Sequence, residues 1–268
     1  MENYICKTCG IQYAGTEMEP SSCRICEDER QYVGWEGQHW TTLKALQQTY
    51  HNELKPLEPG LTGIGIQPSF AIGQRALLVQ TPAGNILWDC ISLLENAAVK
   101  EVEALGGISA IAISHPHFYS SMVEWSKAFH APVYLHADDR EWVMRPDSNI
   151  HFWEGDTKQL MDGITLHRLG GHFKGSTVLH WREGAGGRGA LLSGDTLQVV
   201  SDRRYVSFMY SFPNLIPMSA KVVRGIADRV EKIEFDRIYG AWWGMVVDKD
   251  AKAAVARSAE RYLAALRA

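Results

Sequence analysis

From Leu61 onward, short apolar runs alternate with stretches in which apolar side chains recur every three or four residues. RALLVQ and NILWD flank Pro82, Ala83 and Gly84, so the two runs are expected to form a hairpin. A helix is predicted around Leu93 to Leu105, then a strand over ISAIAI, a helix from Met122 to Phe129, and a short strand at PVYLH. Strands recur at ITLHRL, STVLHW and GALLSG, followed by a helix near Lys221 to Ile233 and a strand at FDRIYG. The C-terminal stretch places Ala251, Val255, Tyr262 and Leu266 at near-helical spacing. Strands and helices alternating through both halves imply a layered α/β architecture, not a bundle or an all-β sandwich.

The front of the chain reads differently. Residues 1–35 are polar, rich in turn formers and poor in large aliphatic side chains, so this segment cannot build a core of its own. In WTTLKALQQTYHNEL, Thr41 or Thr42 can cap a helix that carries Leu43, Leu46 and Tyr50 on one face, with Pro56, Pro59 and Gly60 ending it. The organisation expected is therefore a small module over 1–35, a connecting helix and linker over 36–60, and a main domain over 61–268.

Charge and composition narrow the function classes. A formal charge of -4 over 268 residues argues against a broad face for phosphate backbones, because such binding depends on Lys and Arg displacing counterions. MENYICKTCG has no basic stretch followed by an apolar core, and no run approaches the roughly twenty apolar residues that span a bilayer. The expectation is a cytoplasmic protein with a small-molecule substrate, bound to neither nucleic acid nor membrane.

Four of the five cysteines, Cys6, Cys9, Cys23 and Cys26, form two CxxC pairs separated by thirteen residues. Two residues between ligands let a tight turn aim both sulfurs at one ion, and nearby backbone amides offset the thiolate charge. A closed four-thiolate cage suits a structural zinc ion. The segment resembles zinc ribbons and rubredoxin-like modules, and the latter resemblance makes iron the alternative; Glu27 stands where a glycine is common after the second pair. Residues 1–35 carry six acidic and three basic side chains, which disfavours nucleic-acid binding by the module. Cys90, alone in an apolar run, reads as a small buried residue.

The second constellation begins after ISAIAI. In ISHPHFYSS, His115 and His117 sit two apart in an extended segment and so can face one ion. GGHFKGS places His172 on a glycine-rich turn, LLSGDT places Asp195 at a strand end, and LWDC ends a strand on Asp89. This order resembles the metallo-β-lactamase superfamily: an aspartate at a strand end, HxHxDH, a histidine after glycines, an aspartate in a GDT-like turn, and a final histidine. The resemblance covers about residues 61 to 268 and implies a four-layer αββα sandwich, with His115, His117, His172 and Asp195 as the first metal site.

The departures are informative. Tyr119 and Ser120 stand where the family has the DH of HxHxDH, and YGAWWGM offers Trp243 for the final histidine. By that resemblance the three second-site ligands are missing, and one catalytic-type metal is expected. A zinc hydrolase acting on a small ester, thioester, lactone or amide follows, with Asp195 as ligand or proton acceptor and Tyr119 as hydrogen-bond donor to a developing oxyanion. Two other readings compete: a binding protein with a remnant, non-catalytic site, and a mononuclear non-haem iron oxygenase resembling the persulfide dioxygenases, which use a His, His, Asp subset. The remaining histidines, His130, His136, His151, His167 and His180, read as ordinary surface or core residues, as do Arg203 and Arg204.

Overall fold

A computed structural model describes residues 1–267. They fall into two compact units, Met1–Leu135 with Arg140–Phe152, and His136–Asp139 with the chain from Trp153 onward.

The first unit is built on a seven-stranded sheet in the order His51–Glu58, Leu61–Gln67, Ala76–Val79, Ile86–Trp88, Ala110–Ala112, Val133–His136 and Ile150–Trp153. The expected hairpin is present, with Leu77 opposite Trp88 and Val79 opposite Ile86. Ile86–Trp88, Ala110–Ala112 and Val133–His136 then run parallel. Parallel neighbours need a crossover, and the helices Asn96–Ala104 and Met122–Phe129 supply the two required here. Leu77, Leu87 and Ile111 are fully buried, as strands covered on both faces require.

The second unit holds a six-stranded sheet in the order Thr157–Met161, Ile164–Arg168, Thr177–Trp181, Ala190–Gly194, Arg237–Gly240 and Val246–Val247. Ala190–Gly194 and Arg237–Gly240 are parallel, and the helix Ala220–Val230 lies in the connection between them. Val223, Ile226 and Val230 on that helix pack with Leu191, Ile238, Ala254 and Val255 in one core. Ser219 caps the helix by accepting from the Val222 amide. The closing helix spans Ala251–Ala265.

Two expectations are corrected. The connecting helix is one turn, Leu43–Leu46, capped by Thr42 as foreseen, and residues 51–58 form a strand. Pro59 and Gly60 do not end a helix. They turn a hairpin, with Glu58 opposite Leu61 and Gly60 at φ +82°. Pro56 is tolerated because its strand lies at the sheet edge, where a missing N–H breaks no inner ladder. Ile150–Trp153, Thr157–Met161 and the short pairs Gln198–Val199 with Val206–Ser207 and Met209–Ser211 with Ile216–Pro217 carried no clear period in the sequence. Among the described residues no helix is long and apolar enough to cross a membrane.

Candidate metal centres

The cysteine module belongs to the first unit. Tyr4–Cys6 pairs with Trp40–Thr42, and the one-turn helix Arg24–Glu27 opens at the second CxxC pair. All four sulfurs are buried, and they lie within 4.8 Å of one another. Cys6 Sγ is 3.6 Å from Cys26 Sγ, and Cys9 Sγ is 3.6 Å from Cys23 Sγ, far beyond a disulfide bond. Gln38 Nε2 donates to Cys6 Sγ at 3.2 Å, and Tyr13 Oη donates to Cys23 Sγ at 3.3 Å. Donors aimed at sulfur stabilise thiolates, the form that binds metal. Four buried sulfurs facing one point fit a tetrahedral ion.

The histidine pair sits just past the strand Ala110–Ala112. Asp89, itself at φ +60° after Ile86–Trp88, accepts from the Ser114 amide at 2.8 Å and fixes where the turn begins. Ser114 Oγ lies 2.9 Å from His115 Nδ1. Pro116 opens a short 3₁₀ turn over Pro116–Phe118, and the His115 and His117 rings stand 5.3 Å apart, both buried. Tyr119 is 2 % exposed at the end of that turn.

In the second unit, Gly170 and Gly171 adopt positive φ and carry His172 into a tight turn. The turn is closed by Ser176 Oγ, which accepts from Phe173 N at 2.8 Å. Buried Asp139 accepts from Gly175 N, also at 2.8 Å. His172 Nδ1 lies 2.7 Å from the Tyr210 carbonyl, and a carbonyl can only accept, so Nδ1 carries the proton and Nε2 presents its lone pair. Asp195 follows the strand Ala190–Gly194, and its Oδ2 is 3.9 Å from His172 Nε2. That separation exceeds a hydrogen bond, and two bonds of about 2.0–2.2 Å to a shared ion can span it. Burial pushes the Asp195 carboxyl up to about 7, and a cation is what makes a buried carboxylate favourable there.

His115, His117, His172 and Asp195 each offer one ligand atom, and these atoms lie within 4.8 Å of one another. Three neutral imidazoles and one carboxylate are a donor set suited to zinc or to other first-row divalent ions. The residues present thus fit a bound metal.

The positions that depart from the family pattern are occupied otherwise. Ser120, at φ +42°, accepts from Gln74 Nε2 at 2.9 Å through its hydroxyl and from the Gln12 amide at 3.1 Å through its carbonyl. Trp243 is half-buried in the turn after Arg237–Gly240. Among the residues read as ordinary, His136 Nε2 meets the Gly155 carbonyl at 3.0 Å, His180 Nε2 meets that of Glu234 at 2.8 Å, and Arg204 pairs with Asp202 at 2.7 Å. Burial raises the thiol pKa of Cys90, as befits a small core residue. Sequence reasoning did not find Asp139, Gln74, Ser92, Gln12 or the Tyr210 carbonyl. Their partners lie 36, 46, 82, 108 and 38 residues away, and no local pattern marks such pairings.

Comparison with known proteins agrees with this geometry. The sequence profile of the metallo-beta-lactamase superfamily matches residues 71–242, a span that leaves out the four-cysteine segment. The uncharacterized protein YmaE of Bacillus subtilis (strain 168) is 52% identical over 268 residues, covering 99% of this chain and 97% of the relative. Among solved structures, the DIM-1 metallo-beta-lactamase exposed to ceftazidime superposes with a TM-score of 0.60 at 11% identity, covering 80% of this chain and 98% of that one. VMB-1 gives 0.58 at 13% identity, with 81% and 98% covered. A metallo-beta-lactamase of Cronobacter sakazakii gives 0.53 at 18% identity, with 80% and 92% covered. At these identities the likeness is one of fold.

Proposed function

Because the chain belongs to the metallo-beta-lactamase superfamily, we propose that it is a metal-dependent hydrolase using one zinc ion on a small ester, thioester, lactone or amide. The observation that carries this reading is the cluster of His115, His117, His172 and Asp195, buried and with ligand atoms within 4.8 Å of one another. His115, His117 and His172 would hold a zinc ion there, and such an ion would supply water acidified to a pKa of about 7.

The chain's own groups supply the rest. Asp195, buried and with Oδ2 3.9 Å from His172 Nε2, is placed to hold the ion or to take the proton of the attacking water. His172 is oriented by the Tyr210 carbonyl, and His115 by Ser114 and the Asp89-anchored turn. Tyr119, two residues beyond His117 and buried, is the phenol assigned to stabilise the oxyanion of the reacting carbonyl. A single ion is favoured because Ser120 spends its hydroxyl on Gln74, while Tyr119 and Trp243 offer neither carboxylate nor imidazole where the family pattern has ligands.

The test is metal content of protein purified without added metal, combined with a panel of small esters, thioesters, lactones and amides. We expect close to two zinc equivalents per chain, and turnover lost in His115→Ala and His172→Ala variants that keep their circular dichroism. A metal-loaded protein inert across the panel would overturn the hydrolase reading in favour of a non-catalytic site, and iron at the histidine site would overturn it in favour of oxygen chemistry.

A further inference from the structure

The four-cysteine module is wired to the histidine turn. Gly10, directly after Cys9, donates to the Cys6 carbonyl at 2.9 Å and closes the first knuckle at φ +81°. Its own carbonyl accepts from Ser92 Oγ at 2.7 Å, and the Ser92 carbonyl accepts from Ser121 Oγ at 2.9 Å. Two residues further on, the Gln12 amide donates to the Ser120 carbonyl at 3.1 Å, while Gln12 Nε2 donates to Glu124 Oε1 at 3.2 Å. Gln74 completes the set by donating from Nε2 to Ser120 Oγ and, at 3.1 Å, to the Cys90 carbonyl. Gln12, Gln74, Ser92, Ser120 and Ser121 are all buried. Ser120 and Ser121 follow His117 by three and four residues, so the knuckle reaches the histidine turn through one direct hydrogen bond and one route relayed by Ser92.

We infer that the ion held by Cys6, Cys9, Cys23 and Cys26 is a positioning device for His115 and His117, so that occupancy of the thiolate site sets metal affinity at the histidine site. This rests on the His/Asp cluster being a metal site. The physical reason lies in what holds the knuckle. The Cys9–Gln12 backbone is held by buried Ile11, by the Cys6 amide donating to the Ile11 carbonyl at 3.0 Å and by the Ile5–Gln12 bridge, and residues 1–35 add little further aliphatic surface to fix it. The module's periphery is secured separately, by Ile5 against Leu46, Phe70 and Leu93 and by Arg24 bound to Glu141 at 2.7 Å. An ion shared by the four sulfurs would tie this knuckle to the second one at Cys23 and Cys26. Without it, four buried sulfurs lose their common partner, and Gly10 and Gln12 no longer present a fixed carbonyl and amide. Ser120, a non-glycine residue at φ +42°, holds a backbone conformation that persists only while its neighbours over-determine it. Loss of the Gln12 amide from the Ser120 carbonyl, and of the Gly10 carbonyl from Ser92, lets the turn relax and moves His117. Groups hydrogen-bonded directly to a metal ligand typically change affinity by about 10- to 100-fold when lost, and the lower end of that range is expected for links that act through the backbone of the turn. Coupling between two binding sites is reciprocal, so each ion must tighten the other by the same factor.

The experiment uses the full chain. Zinc affinity at the histidine site is measured by competition with a chromophoric chelator in the wild type, in Cys9→Ser/Cys26→Ser and in Ser92→Ala. Exchange protection of the amides from Ser114 to Ser121 is followed in parallel. We expect about tenfold weaker zinc binding and reduced protection in the double variant. Ser92→Ala should keep its thiolate-bound ion and still lose severalfold in affinity at the histidine site. That variant remains informative if the double variant fails to fold. Affinity and protection unchanged in a Ser92→Ala chain that keeps its full thiolate-bound equivalent would overturn the coupling alone. A wild type binding one equivalent only, through sulfur, would overturn the His/Asp reading and the coupling with it.

Discussion

At the scale of single residues, the histidine site is governed by hydrogen bonds to groups that never touch the metal. Asp139 is the clearest case: buried, it accepts from Gly175 N and fixes the far side of the His172 turn. Replacing it with Ala leaves a buried amide unsatisfied, at about 1–3 kcal/mol. We expect Asp139→Ala to lower stability by that amount in denaturant titration and to weaken metal binding by about tenfold. An affinity equal to wild type would remove Asp139 from the set of positioning residues. Tyr119→Phe deletes one hydroxyl and little volume. If the phenol serves the oxyanion, kcat on the best substrate should fall on the order of 10²-fold with KM nearly constant, whereas a parallel change in KM alone would assign Tyr119 to substrate binding.

At the scale of elements, the second sheet carries a pH response that its strands create. His167 on Ile164–Arg168 and His180 on Thr177–Trp181 lie diagonally across one ladder, their rings 6.2 Å apart. Desolvation, with a smaller contribution from His180, lowers the His167 pKa to about 4. The unfolded chain titrates near 6.5, so between about pH 6.5 and 4 the unfolded state binds more protons than the native one. Stability from this group is therefore present above pH 6.5 and is lost as pH falls towards 4. Comparing melting temperatures of wild type and His167→Leu across this range isolates the effect. The wild type should lose more stability on acidification, and parallel curves would show that His167 does not contribute. Gly10 makes a second element-scale test. A Cβ there would meet Ser92 Oγ at 2.5 Å in a backbone region that costs an L-residue about 1–2 kcal/mol. Gly10→Ala should thus destabilise the first unit, with Ser92→Ala in the same chain recovering part of the loss.

At the scale of the whole molecule, ions that bind the native state and not the unfolded one add stability by mass action. Removing them with a strong chelator should lower the melting temperature, and readdition of zinc should restore it. In His115→Ala the restored increment should shrink without vanishing, because the thiolate site remains. Complete indifference of the melting curve to chelation would show that neither cluster holds its ion under those conditions.

Much of this is legible in the sequence. Period and turn residues fixed the hairpin across Pro82–Gly84, the helix Met122–Phe129 and most inner strands, because fully buried strands are runs of apolar side chains whatever surrounds them. The spacing Cys6, Cys9, Cys23, Cys26 marked a metal cage, since two-residue gaps close a turn locally. The edge strand His51–Glu58 was misread as the end of a helix, because a strand's partner is non-local and Pro59–Gly60 serves either reading equally well. Likewise, four side chains between positions 115 and 195 could be nominated by motif, but their closeness is a property of chain crossings that no window of sequence contains. The links from Gly10 and Gln12 to Ser92 and Ser120 are of the same kind. Local chemistry is written in adjacent residues, whereas hydrogen bonds to backbone groups some hundred residues away leave no local pattern and exist only once the chain has folded.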